Sequence, residues 1–313
     1  MRKIFVYCLL LFPFFCSAQH EKFSGNANTE DSSTKDKSYF EVATDIGNSY
    51  FSSKNQNLKA ELQPSLFVIS PSLSYYHKSG FGLTASTYFI HSGDSSGFYQ
   101  YSLSPSYQVE NDNIQASLSY TRYFVKKGYE TIASPFKNEF YGQINLQKPW
   151  LQPGLSMGYS NGSYTEYNTI DTFILGFQRR FVDTVNTKLS TFSLSAFVQH
   201  EFDFYELLSS KDELALTPQF FLNAGSSQYD DVHHNIFYTR RGKKAIGTRG
   251  QKRLGRLNEQ TPFQLESLGF CADAVYATGN FSIEPQLYLD YYLPATNSKR
   301  FTSIYTIHLS YDF

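Results

Sequence analysis

The chain of 313 residues is 41% hydrophobic, 18% charged and 18% aromatic, with 29 Phe and 25 Tyr against 1 Trp, and its mean hydropathy is −0.38. That hydropathy excludes a multi-helix membrane protein, the ring content excludes a disordered chain, and the formal net charge of −1 excludes a polyelectrolyte. A chain that is hydrophilic on average yet crowded with Phe and Tyr must sort the two kinds of residue by position.

At the N-terminus, Arg2 and Lys3 precede an apolar run from Ile4 to Phe15, and Cys16-Ser17-Ala18 offers small residues before a cut after Ala18. This is the pattern of a secretory signal peptide over residues 1–18. The run is shorter than the ~20 apolar residues of a spanning helix. A lipoprotein reading through Cys16 meets Phe14 and Phe15 where small residues are wanted. Cleavage removes Cys8 and Cys16, so the mature chain keeps Cys271 alone and has no internal disulfide. Cys271 is expected to be a small apolar residue in a strand. Arg2 and Lys3 leave too, so 25 basic residues face 28 acidic ones, a net −3. Residues 19–37 are polar, lack periodicity and read as a disordered periplasmic leader.

The body, 38–313, reads as strands. Thirteen candidates emerge: 38–50, 65–76, 81–89, 98–108, 114–124, 138–147, 153–161, 169–181, 189–204, 213–225, 263–276, 281–293 and 301–313. Apolar residues recur at every second position in the clearest of them. One face of 81–89 is Phe81, Leu83, Ala85, Thr87 and Phe89, and one face of 281–293 includes Phe281, Ile283, Leu287, Leu289 and Tyr291. The other face of that strand carries Ser282, Glu284, Gln286 and Asp290. Side chains alternate across a strand, so each such segment has one apolar and one polar face. Helical patterns are nearly absent after the signal peptide. Turn chemistry marks tight connections at 77–80, 110–113 and 277–280, and longer ones at 51–63, 125–137 and 226–262. An apolar-x-Pro-x-apolar spacing repeats around Pro71, Pro105, Pro218 and Pro285. Proline cannot donate to a ladder, so these prolines are expected at strand ends, where pairing stops or bends. Arg179 and Arg180 are adjacent, so one must face outward; the pair is expected to mark the end of strand 169–181.

Within 226–262, the stretch from Arg240 to Arg256 holds Arg240, Arg241, Lys243, Lys244, Arg249, Lys252, Arg253 and Arg256 with no acidic residue. It carries +8, which leaves −11 on the rest of the mature chain. Catalytic constellations are not evident. No G-x-S-x-G elbow occurs, His200-Glu201 lacks a second metal ligand at helical spacing, and His233 and His234 would point to opposite faces of a strand. Each histidine is therefore expected to be structural. No catalytic, cofactor or metal residue is assigned.

The C-terminal segment is the most specific. Tyr305, Ile307, Leu309, Tyr311 and Phe313 occupy one face; Thr306, His308, Ser310 and Asp312 occupy the other. With the export signal and the final Phe, this segment resembles the closing strand of Gram-negative outer-membrane β-barrels. The resemblance implies a transmembrane, antiparallel, up-and-down all-β barrel over 38–313 in the cell outer membrane, and a terminal signal (Tyr305, Ile307, Leu309, Tyr311, Phe313) read by the barrel insertion machinery. Such barrels have an even number of strands. Fourteen is preferred, through an extra strand near 232–240; twelve follows if a strand in 147–212 has been split falsely. Loop 226–262 then faces outward, where its basic residues would meet lipopolysaccharide phosphates, steer an anionic solute, or bind a surface polyanion; nucleic acid is the weakest of these readings. The function expected is a passive porin-like channel or structural barrel, set in outer-membrane lipid, with a small solute as the cargo of the channel form. The alternatives are a surface-binding barrel using 240–256, or a barrel hydrolase acting on lipid or surface polymer.

Overall fold

The computed structural model describes residues 37–48, 67–92, 95–126, 136–174, 177–239, 242–245, 257–294 and 300–313. The signal peptide, the leader up to residue 36 and most of the basic stretch lie outside these residues. The strands are β1 (Tyr39–Gly47), β2 (Phe67–Tyr76), β3 (Phe81–Ser92), β4 (Ser95–Glu110), β5 (Ile114–Val125), β6 (Phe136–Leu146), β7 (Gln152–Ile174), β8 (Phe177–Gln199), β9 (Phe202–Tyr205), β10 (Asp212–Thr239), β11 (Gly242–Ala245), β12 (Leu257–Thr278), β13 (Phe281–Tyr292) and β14 (Phe301–Asp312).

Twelve of them form one closed ring. β1 to β8 pair in sequence, β8 pairs β10, and β10, β12, β13 and β14 follow. β14 closes on β1 from Glu41↔Asp312 to Gly47↔Thr306, and every pairing is antiparallel. The backbone N–H of Phe313 donates to Phe40 O at 2.8 Å, which fixes the last residue at the seam. β9 continues β8 past a kink at His200-Glu201 and pairs the start of β10, with Phe202 opposite Leu216. β11 pairs the far end of β10. An all-β antiparallel barrel was expected, and the number of wall strands is twelve rather than the preferred fourteen.

The miscount has two sources. The candidates 153–161, 169–181 and 189–204 are two 23-residue strands, β7 and β8, whose ladder runs on to Ile174↔Phe177. The extra strand placed near 232–240 is the far half of β10, which runs 28 residues. With β12 starting at Leu257, the connection expected over 226–262 shortens to 240–256. The Arg pair follows the same correction. Arg179 and Arg180 do not end a strand; they lie just inside β8, with Arg180 opposite Asp171 and Arg179 opposite Thr172.

The start of β1, the end of β14 and the tight turns 77–80, 111–113, 147–151, 206–211 and 279–280 share one rim. Gly80 shows why one turn needs glycine. Its φ is +89°, and a Cβ there would lie 2.0 Å from the carbonyl oxygen of Gln108.

The four repeat prolines sit inside strands, not at their ends, yet each marks a break in pairing. Pro71 pairs Thr44, while the β2–β3 ladder jumps from Ile69↔Phe89 to Ser72↔Ser86. Pro105 pairs Leu83, while β4–β5 jumps from Leu103↔Arg122 to Ser106↔Ser119. Pro285 pairs Ile307, while β12–β13 jumps from Asp273↔Gln286 to Tyr276↔Ile283. Pro218 pairs Ala272, and on its other edge sits the β8–β9 kink. A proline offers no N–H, so one neighbouring ladder loses its bond there.

Candidate functional site

The two faces of the wall differ in chemistry. Leu73, Leu83, Leu103, Leu118, Phe140, Ile144, Leu155, Phe220, Leu268 and Leu287, from β2 round to β13, are all exposed on the outward face. Tyr305, Ile307, Tyr311 and Phe313 are exposed with them, and Thr306 and Ser310 between them are buried. Outward Arg122 on β5 donates to Asn138 Oδ1 at 2.5 Å and lies 5.9 Å from the centre of the Phe124 ring. Asn138 in turn donates to Asn161 Oδ1 at 2.8 Å, so a short polar strip crosses β5, β6 and β7.

Inward positions are mainly polar or aromatic. Ser74 bonds Thr84 at 2.9 Å, Ser104 bonds Thr121 at 2.8 Å, and Ser282 bonds Ser310 at 2.6 Å across neighbouring strands. Asn223 on β10 accepts from Ser195 at 2.5 Å and donates to Ser267 and Tyr288 at 3.0 and 2.9 Å, joining four strands in a buried network. Three apolar clusters fill other parts of the interior: Val68, Ile90 and Tyr99; Tyr123, Phe136 and Leu189; and Phe197, Phe221, Cys271 and Tyr288. Tyr88 packs against the first two, so side chains from β2 to β8 converge there. Cys271 lies fully buried in the third, with no disulfide.

Toward the tight-turn rim the interior opens into a cavity of about 330 Å³. Its lining includes Ser106, Gln115, Ser117, Ser119, Tyr141, Gln143, Asn145, Ser156, Gln219, Phe221, Asp273, Glu284 and Gln286. Strand parity places these groups. Asp273 follows inward Cys271 by two residues on β12, and Glu284 and Gln286 alternate with outward Pro285 on β13. Asp273 is paired with Gln286 in register, and its carboxyl lies against that of Glu284. Glu284 is in register with His308, whose Nδ1 donates to Asp45 at 2.8 Å. An arc of titratable groups therefore runs over β12, β13, β14 and β1, with His308 set between Glu284 and Asp45. Among the described residues no Arg or Lys lines the cavity.

The groups singled out from sequence lie elsewhere. Lys243 and Lys244 fall on β11, opposite Tyr238 and Phe237. Arg240, Arg241, Arg249, Lys252, Arg253 and Arg256 lie outside the described residues. His77 bonds Ser79 at 2.8 Å in a turn, and His200 bonds Trp150 O at 2.6 Å and stacks on its ring. His91 meets Ser96 at 2.6 Å at the other rim, a cross-strand pair from β3 and β4. Among the described residues no hydrogen bond joins a third group to that imidazole. The described residues contain no cluster of three or more His, Cys, Asp or Glu suited to a metal. Sequence reasoning missed Asp273 and Asn145. The usable signal was a carboxylate or amide at inward parity, away from a strand's outer end.

No family model matches the chain, and no curated protein matches it. Solved structures resemble it distantly. The NanC porin is 9% identical over 87% of this chain and 98% of its own, with a TM-score of 0.34. A bacterial polysaccharide outer-membrane secretin is 7% identical over 88% and 98%, with a TM-score of 0.35. The CymD monoaromatic hydrocarbon channel is 10% identical over 88% of each chain, with a TM-score of 0.34. Likeness this remote assigns no substrate or activity, and the barrel assignment rests on this chain's own strand pairing.

Proposed function

We propose that the chain is an integral outer-membrane barrel acting as a narrow passive channel for small polar solutes. The carrying observation is the sorting of the closed wall: apolar side chains point outward all round it, and polar groups point into a lumen that holds a cavity. Water does not stabilise so large a contiguous apolar surface, and a bilayer does. Closure also removes sheet edges, as lipid requires. Export by the 1–18 signal, insertion through the Tyr305–Phe313 face and outer-membrane residence belong to the same reading.

Twelve strands ~4.8 Å apart and tilted by ~40° give a backbone radius of about 12 Å. Inward rings then narrow the lumen well below a general porin's. Planar-bilayer recording of the refolded chain tests this. Small, discrete conductance steps are expected; none above background would refute the channel. Retention in the membrane pellet after carbonate extraction tests the embedding.

The basic stretch supports an accessory role. It joins β10 and β12, which at 28 and 22 residues outrun the ~9–11 needed to cross a bilayer. Arg240, Arg241, Lys243, Lys244, Arg249, Lys252, Arg253 and Arg256 would then meet lipopolysaccharide phosphates. Deleting 240–256 should weaken binding of lipopolysaccharide micelles and leave the barrel folded; unchanged binding would dismiss the role.

A further inference from the structure

The cavity carries complementary groups on separate parts of its wall. On β12 and β13, Asp273 and Glu284 place two carboxyl groups together, and Oδ1 of Asp273 has no protein partner. On β6, Asn145 is 1% exposed and lines the same cavity, yet neither its Nδ2 nor its Oδ1 has a protein partner. Buried amides are nearly always bonded, so a side chain that forgoes two donors and an acceptor is one held ready for something in the cavity. The two carboxyls hydrogen-bond each other and so share a proton that a bound ammonium can replace; His308, in register with Glu284, is bonded to Asp45, and no Arg or Lys of the described wall lines the cavity. Rings of Asp and Glu are how pores attract cations. The volume of about 330 Å³ falls in the range of small-molecule sites.

We infer that the cavity is a seat for a small organic ammonium that also bears hydroxyl groups, an amino sugar by class. Its ammonium sits on Asp273 and Glu284, and its hydroxyl groups meet Asn145, Gln143 and Gln286. The seat deepens the channel reading by naming the solute, but it can be tested apart from conduction.

The full chain, refolded in detergent micelles, is titrated calorimetrically with glucosamine, glucose and putrescine at constant ionic strength. Glucosamine should bind at least ten-fold more tightly than glucose, which lacks the ammonium, and more tightly than putrescine, which lacks hydroxyl groups. Asp273→Asn with Glu284→Gln keeps the side-chain shapes and should bring glucosamine within about three-fold of glucose. Asn145→Ala should weaken glucosamine and leave putrescine unchanged. Glu139→Gln, an inward carboxyl outside the cavity, controls for folding and should leave the binding unchanged. Equal affinity for glucose and glucosamine, no saturable glucosamine binding, or a preference that survives the double substitution overturns the seat. Putrescine binding as tightly as glucosamine overturns the hydroxyl half of it. Glucosamine binding without bilayer conductance would refute the channel and leave the seat standing; conductance without that preference would do the reverse.

Discussion

Leu118→Arg separates a wall in lipid from a wall in water. Leu118 is the fifth of twelve residues in β5, points outward and is 56% exposed. Its cross-strand neighbours are Tyr107 on β4 and Gly142 on β6, neither of which offers a counter-charge. In water, an exposed Leu replaced by Arg changes stability by no more than ~0.5 kcal/mol. Near the middle of a bilayer the same change costs about 2–4 kcal/mol. At ~1.4 kcal/mol per factor of ten, that lowers the folding constant by roughly 30- to 900-fold. Leu208, 84% exposed in turn 206–211 of the tight-turn rim, is the matched control, because lipid-face penalties fall to ~0–1 kcal/mol near the interface. Urea titration of folding into lipid vesicles reads both variants. A Leu118→Arg midpoint equal to that of Leu208→Arg would refute membrane embedding of the wall.

The other predictions concern the turns and the interior. Gly80→Ala should cost more than ~1 kcal/mol, since φ is +89° and the new Cβ meets the Gln108 carbonyl, whereas Gly279→Ala, with nothing within 4 Å, should cost less in the same urea assay. Asn223→Ala should cost about 1–3 kcal/mol by stranding the Ser195 hydroxyl and removing the amide from the Ser267 and Tyr288 hydroxyls, which keep Asp290, a loss read as a lower urea midpoint. Asp212 accepts backbone N–H bonds from Leu207, Leu208 and Ser209 at 2.8–3.0 Å, so Asp212→Ala should raise hydrogen exchange at those three amides and leave the β1–β14 seam protected.

Much of the wall was legible because each turn of alternation there has a physical counterpart. β3, β13 and β14 read cleanly, since one face of each must meet apolar surroundings and the other the polar lumen. β7, β8 and β10 did not. Ser160-Asn161-Gly162-Ser163 has the composition of a turn, yet Asn161 pairs Asn138 and Gly162 pairs Leu189 in mid-strand. The β7–β8 ladder instead runs on to Ile174↔Phe177, in an apolar stretch without polar turn residues. Where a strand outruns the apolar band, nothing enforces parity, so turn-like residues enter strands and the count drifts. The cavity was illegible for a different reason. Asn145 on β6 and Asp273 on β12 are more than a hundred residues apart, and only closure of β14 on β1 makes them share a space. Glu284 was visible as a polar-face residue, but its partner across β12 was not.

The position of the cavity follows from side-chain size. A twelve-stranded ring leaves more interior than small residues can fill, so the filling residues decide where space remains. Toward the rim opposite the tight turns, Val68, Ile90, Tyr99, Tyr123, Phe136 and Leu189 supply bulk. Near the tight turns the lining positions on β4, β5 and β7 include Ser106, Ser117, Ser119 and Ser156, which supply almost none. Phe221 belongs to both regions, lining the cavity and packing on Phe197 at 5.6 Å and Tyr288 at 5.9 Å. In the proposed channel, a solute entering from the tight-turn rim would meet carboxylates and amides first and rings afterwards. Asp273 and Glu284 would then set charge preference, where the lumen is roomy and the solute keeps part of its water. The rings beyond, where side chains must move aside, would set the rate of passage. On that reading selectivity and conductance reside in different strands' side chains, and a substitution in one set should leave the other property largely intact.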